Sequence, residues 1–151
     1  MKAEILSIGT EILLGEIVDT NASYIAARLP AIGIDVYFKA VVGDNQERLS
    51  ETIGRAVERS DIVICTGGLG PTEDDLTRES IAAVFGEEPR VDPTLEAELR
   101  AFFERRGYHM PDSNVKQAWL IPSARAIPNP RGTAPGWWAE RGGKIVIAMP
   151  G

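Results

Sequence analysis

The stretch 65-CTGGLGPTEDDLTRES-80 sets Gly67, Gly68 and Gly70 directly before three acids, Glu73, Asp74 and Asp75. Glycines permit positive φ and let a ligand approach the backbone closely. The N–H groups of such a loop suit phosphate oxygens, and Thr66, Thr72 and the intervening Leu69 belong to the same surface. The spacing is neither a Walker A loop, since no Gly-Lys-Ser/Thr follows, nor G-x-G-x-x-G. The acids conflict with this reading, because they repel the anion that the glycines invite. A hard divalent cation such as magnesium, shared between carboxylates and phosphate oxygens, removes the conflict. Asp75 is the first carboxylate for that role. Asp44, in Gly43-Asp44-Asn45, is the second, because its strand–helix junction is expected to open on the same sheet edge. Glu11 and Asn21 are further polar candidates.

The same acids also have a purely structural use. Thr72-Glu73-Asp74-Asp75 fits the [ST]-x-x-[DE] capping box, and acids in a first helical turn are each worth about 0.3–1 kcal/mol against the helix dipole. Asp74 can pair with Arg78 four residues on, and Asp75 shares a helical face with Glu79. Capping and ligand binding are compatible, and the spacing does not choose between them. A second turn-rich segment, 129-NPRGTAPG-136, offers Asn129, the backbone of Gly132, Ala134 and Gly136, and Arg131. It reads equally as a two-turn connection before a strand. Trp137-Trp138 reads as core or interface in preference to a base-stacking platform. Cys65 closes an apolar run and reads as a buried small residue, and the single His109 cannot build a His-rich metal site.

The elements that must position these residues are legible from periodicity. Residues 3–8, 34–42, 61–65, 124–127 and 144–148 read as strands, the third wholly apolar after its first residue, as at the centre of a parallel sheet. Helical spacing runs from Asp19 or Thr20 to a stop at Gly33, over 46–59, over 72–85, and from the Asp92-Pro93 start through Leu95, Leu99, Phe102 and Phe103. Residues 112–119 suggest a short helix. Strands alternating with helices indicate a three-layer α/β/α sandwich with a mainly parallel sheet. Ligands in such sheets sit outside the carboxyl ends of the strands, which is where the glycines and polar residues gather. The chain has 151 residues, a net charge of −6 and one cysteine. That charge argues against nucleic-acid or membrane-surface binding, and no internal disulfide can form. No apolar stretch approaches the roughly 20 residues of a membrane span, and the N-terminus lacks a signal-peptide core; a cytoplasmic protein is expected.

The motifs 7-SIGTEILLGEIVDTNA-22, 41-VVGDN-45, 66-TGGLGPTEDDLTRE-79, 129-NPRGTAPG-136 and 148-AMPG-151 together resemble the N-terminal domain of the competence/damage-inducible CinA family. The resemblance implies a molybdopterin-binding-like fold of the MoaB and MogA type, with one domain over residues 1–151 that is cut short at its C-terminal end. It implies a pocket for a nucleotide or pterin ligand in which Asp75 and Asp44 match functional aspartates. It further implies metal-dependent hydrolysis of ADP-ribose to AMP and ribose 5-phosphate, homo-oligomers, and, in complete members, a C-terminal nicotinamide-mononucleotide deamidase domain absent here. In that reading Asp44 and Asp75 hold a divalent ion or one serves as general base. Thr66, Gly67, Gly68, Leu69, Gly70 and Thr72, with Asn21, Asn129, Gly132, Ala134 and Gly136, contact the substrate. The alternatives are a pterin- or nucleotide-binding module without hydrolysis, and molybdopterin adenylyl transfer.

Overall fold

The computed structural model describes residues 1–151. Its strands are β1 (Lys2–Ile8), β2 (Asp35–Val42), β3 (Ile62–Thr66), β4 (Arg90–Val91), β5 (Trp119–Leu120), β6 (Ala124–Ile127), β7 (Gly136–Arg141) and β8 (Lys144–Met149). Its α-helices are α1 (Thr10–Leu13), α2 (Thr20–Arg28), α3 (Gln46–Arg59), α4 (Thr77–Phe85) and α5 (Pro93–Glu104). Short 3₁₀ segments occupy Leu29–Ile32 and Asp112–Ala118.

Six strands form one sheet in the order β2-β1-β3-β8-β7-β6, and β4 pairs with β5 apart from it. The first four run parallel, and β7 alone is reversed, pairing antiparallel with β8 on one side and with β6 on the other. Every residue of β3 is buried, as its unbroken apolar run requires of a central strand. Alternation along the strands divides the core. Leu6, Ile8, Val63 and Cys65 pack with Leu49, Ile53 and Ala56 of α3 and Ile81, Ala82 and Phe85 of α4. Ala3, Ile5, Ile62 and Ile64 face the other way, with Ala22 and Ile25 of α2. The result is helix, sheet, helix. No helix is long and apolar enough to cross a membrane.

The caps explain most helix ends. Asp19 Oδ1 accepts from Ala22 N at 3.0 Å and starts α2. Asn45 Oδ1 accepts from Arg48 N at 3.0 Å and starts α3. Asp92 does the same for α5 through Leu95 N, with Pro93 at the first position. Gly33 ends the 3₁₀ turn after α2 with φ +76°.

The exception is α4, which begins at Thr77 and not at Thr72. Asp75 Oδ2 accepts from Thr72 N at 2.9 Å and from Thr72 Oγ1 at 2.7 Å, and Asp75 N donates to Thr72 O at 3.2 Å. One half of the capping box therefore forms, but it closes a separate turn ahead of the helix. Residues 112–119 likewise differ from expectation, since a 3₁₀ segment ends at Ala118 and Trp119 starts β5. Trp137 is fully buried and its Nε1 donates to Trp119 O at 3.0 Å, so it is core.

Candidate functional site

The strand order turns at β1: the chain leaves β1 for β2 on one side and returns through α3 to β3 on the other. That reversal opens a crevice at the carboxyl ends of β1 and β3. A cleft of about 730 Å³ lies there. The loop after β1, the start of α2, the glycine loop after β3, the 129–134 loop and Pro150-Gly151 line it. The 129–134 loop arrives because β7 runs antiparallel, which puts its N-terminal end at the same sheet edge.

The glycine loop is fixed from below. Gly67 N donates to Met149 O at 2.9 Å, and Thr77 Oγ1 donates to Gly67 O at 2.7 Å. Gly67 has φ +97°, and a Cβ there would stand 2.2 Å from Ile8 O. Gly67→Ala is therefore expected to lower unfolding free energy by about 3 kcal/mol, through a forbidden backbone region and a clash with main chain that cannot retreat. A urea midpoint equal to wild type would contradict this. Arg78 is fully buried and its guanidinium grips the loop: Nη2 donates to Leu69 O at 2.6 Å and Nη1 to Gly70 O at 3.3 Å. Burial brings the Arg78 pKa down to about 10, against the pull of Glu79 and Asp75.

Asp75 occupies part of the nest that the glycines form. Besides the two bonds from Thr72, the nearby Gly70 N–H favours its ionised form. A Cβ at Gly70 would lie 2.5 Å from Asp75 Oδ2, so the carboxylate packs on that glycine. Burial pushes the Asp75 pKa up, but the Thr72 hydroxyl and N–H, the Gly70 N–H and Lys116 outweigh it and hold the carboxyl below its ordinary range. Lys116 Nζ also donates to Asp75 O at 2.6 Å and Thr72 O at 2.9 Å and pairs with Glu79 Oε1 at 2.8 Å. The Gly68 and Leu69 N–H groups bond no protein acceptor. What the loop offers a ligand is therefore two backbone donors and the remaining Asp75 oxygen, Oδ1.

Ten of the residues expected to contact a ligand line the cleft: Asn21, Thr66, Gly67, Gly68, Leu69, Gly70, Asp75, Asn129, Gly132 and Ala134. Asn129 serves its own loop, with Nδ2 donating to Ala134 O and Oδ1 accepting from Arg131 N. Three expected residues lie outside the lining. Thr72 is turned onto Asp75. Gly136 is packed in β7, where a Cβ would meet Ala148 O at 2.6 Å. Asp44 is clasped to Thr10, its Oδ2 accepting from Thr10 N at 3.2 Å and its N–H donating to Thr10 Oγ1 at 3.1 Å. It ties the end of β2, the edge strand, to the first turn of α1, because Asn45 and not Asp44 caps α3.

Sequence reasoning missed the roles of Arg78 and Lys116, and took Asp19 only as a helix cap. Asp19 also accepts from Ser7 Oγ and lines the cleft, a position its place in the connection from β1 to α2 could have signalled. The Arg131 side chain is the single cationic one in the lining, against Glu11, Asp19 and Asp75. Three carboxylates against one guanidinium repel a bare phosphate. No three acids, histidines or cysteines converge to hold a metal by themselves. A divalent ion here would need phosphate and water oxygens for most of its ligands, with the Asp75 carboxylate as the protein's contribution.

The chain matches a sequence family described as "probable molybdopterin binding domain" over residues 4–151. It is 57% identical to a CinA-like protein of Deinococcus radiodurans over 99% of this chain and 38% of that protein, so it spans well under half the length of this relative. A crystal structure of CinA from Thermoplasma acidophilum, a protein of unknown function, superposes with a TM-score of 0.90 at 38% identity, covering 100% of this chain and 89% of that one. MoaB of Thermus thermophilus, a molybdopterin biosynthesis enzyme, shares the fold at a TM-score of 0.59 and 20% identity, over 99% of this chain and 80% of its own. By the family match over residues 4–151 and the likeness to CinA over its whole length, the chain belongs to the molybdopterin-binding domain family, in its CinA branch.

Proposed function

We propose that the cleft binds a phosphorylated small molecule and hydrolyses its pyrophosphate, with ADP-ribose giving AMP and ribose 5-phosphate. The observation that carries this reading is the pairing of two unoccupied backbone donors, Gly68 and Leu69 N–H, with a carboxylate held ionised beside them. The N–H groups take phosphate oxygens, and Arg131 closes from the far loop as the one cationic side chain. Asp75 would be the protein's ligand to a divalent ion, which when bound would supply charge neutralisation and polarise phosphorus. Asp75 Oδ1 orients the attacking water. The water oxygen bonds to phosphorus, the bridging P–O bond breaks, one phosphate leaves as a monoester, and the proton goes to solvent. Asp75, with its pKa depressed, is suited to orienting and to holding charge more than to accepting that proton.

A second reading, retention of a pterin or nucleotide without hydrolysis, is favoured by the position of Asp44, which leaves one carboxylate oxygen where two groups were expected. Release of AMP from ADP-ribose with magnesium, and none with a chelator, supports hydrolysis. Saturable binding of ADP-ribose or of a pterin phosphate without product under both conditions supports retention. Neither binding nor product removes both.

A further inference from the structure

The ammonium of Lys116 has no donor to spare. Nζ gives its protons to Thr72 O at 2.9 Å, Asp75 O at 2.6 Å and Glu79 Oε1 at 2.8 Å. The side chain is 12% exposed and stands outside the cleft lining, whereas Asp75 and the next residue, Gln117, lie in it. Lys116 belongs to the 3₁₀ segment Asp112–Ala118, and it reaches back 41 residues along the chain to Asp75.

The turn it meets has little else behind it. Within the turn, Asp75 is bonded to Thr72, and its carboxylate packs on Gly70. Beyond the glycine loop, the two Lys116 bonds are the only hydrogen bonds that join residues 72–75 to the rest of the molecule. Glu79 supplies the matching charge: Oε1 meets the ammonium, and Oε2 is buried without a partner. A carboxylate so placed needs a cation at hand. Glu79 therefore fixes where the ammonium stands, and the two carbonyls of the turn converge on it.

We infer that Lys116 is a positioning residue for the Asp75 turn, a tethered cation that holds the main chain of residues 72–75 from behind while the carboxylate lines the cleft. It touches no ligand, since its three donors are spent. Three oxygens around one nitrogen make a cage for a compact cation with rotatable donors, which a planar guanidinium does not match. This role rests on the phosphate reading of the cleft.

Calorimetric titration with inorganic pyrophosphate and magnesium tests it on wild type, Lys116→Ala and Lys116→Met, the last keeping the aliphatic arm without the charge. Both variants are expected to bind pyrophosphate about tenfold more weakly, the loss of a charge-assisted hydrogen-bond set. Alanine leaves the oxygen cage open to solvent, so excess ammonium is expected to restore most of the affinity in Lys116→Ala. Tetramethylammonium at equal ionic strength has no proton to donate and restores none. The methionine arm blocks the cage, and ammonium leaves Lys116→Met unchanged. Wild-type affinity in both folded variants overturns the role and leaves the phosphate reading standing. A loss in Lys116→Ala that ammonium relieves no better than tetramethylammonium overturns it too, by making the side chain a packing element. Where Lys116→Ala does not fold, Lys116→Met decides: a tenfold loss together with an Asp75 carboxyl that titrates higher than in wild type, read by carbon NMR, upholds the role, and the absence of either overturns it. Failure of pyrophosphate to bind wild type removes the phosphate reading, and this role with it.

Discussion

Arg78→Met is expected to cost about 3 kcal/mol of unfolding free energy and to weaken pyrophosphate binding at least about tenfold. The guanidinium is wholly buried, and its two bonds go to main-chain carbonyls of Leu69 and Gly70. Hydrogen bonds to a charged group contribute about 1.5–3 kcal/mol each, and relief of the buried charge offsets part of that sum. Methionine keeps much of the volume but leaves both carbonyls without donors. The effect on binding follows from peptide geometry. In a planar trans peptide the C=O and the next N–H point in opposite directions. Drawing the Leu69 carbonyl toward Arg78 thus turns the Gly70 N–H to the Asp75 side, where it favours the ionised carboxylate. Arg78 is a positioning residue: it sets the loop and, through the loop, the carboxylate. Arg78→Lys retains the charge but cannot span two carbonyls as a planar fork does. It is expected to recover part of the stability and little of the affinity. Pyrophosphate titrations on the folded fractions, beside urea melts, check both parts. Wild-type affinity in a destabilised Arg78→Met would assign the residue to the core alone.

Arg78 also shows where sequence reading stops. As an isolated arginine in a helical pattern it looks like a surface charge, and i,i+4 spacing offered it Asp74 as a partner. Nothing local reveals that α4 starts five residues late or that the side chain turns under the preceding loop. The sheet was legible because its signals are local and repeated: an unbroken apolar run for β3, alternation along β1, and caps at Asp19 and Asp92. The cleft was legible for most of the loops that meet in it, since carboxyl ends of parallel strands share one edge, but the 43–45 loop stays outside the lining. It was not legible at the level of individual atoms. Asp44 and Asn45 are adjacent, both suited to capping, and only the structure shows Asn45 taking α3 while Asp44 reaches back to Thr10. Gln117 lies in a segment of weak periodicity, and its burial depends on long-range packing that no spacing encodes.

That distinction between Asp44 and Asp75 carries the second large effect. Asp75→Asn is expected to lower the rate of AMP release from ADP-ribose at least about 100-fold, the lower range for loss of a group acting on the reacting water. Asp44→Ala is expected to leave the rate within a few-fold, and to cost about 1 kcal/mol of stability as the first N–H of α1 loses its acceptor. Asparagine keeps the shape of the Asp75 turn, because its side-chain oxygen still accepts from Thr72 N–H, so the loss falls on charge. The pH dependence separates the roles of that charge. The Asp75 carboxyl has its pKa below the ordinary carboxylate range, with burial outweighed by Thr72, Gly70 and Lys116. Its contribution to stability is present above the unfolded pKa, about 3.9, and is lost as the pH falls through the lower folded value. Acid unfolding of Asp75→Asn should therefore be shallower below about pH 4 than that of wild type. By the same sign, Asp75 stays ionised from pH 5 to 8, and a residue that only orients water or holds a cation gives a flat rate across that window. A wild-type rate that rises tenfold per pH unit between 5 and 7, and loses that slope in Asp75→Asn, would instead place the Asp75 carboxyl well above the ordinary range and overturn its standing ionised in the cleft.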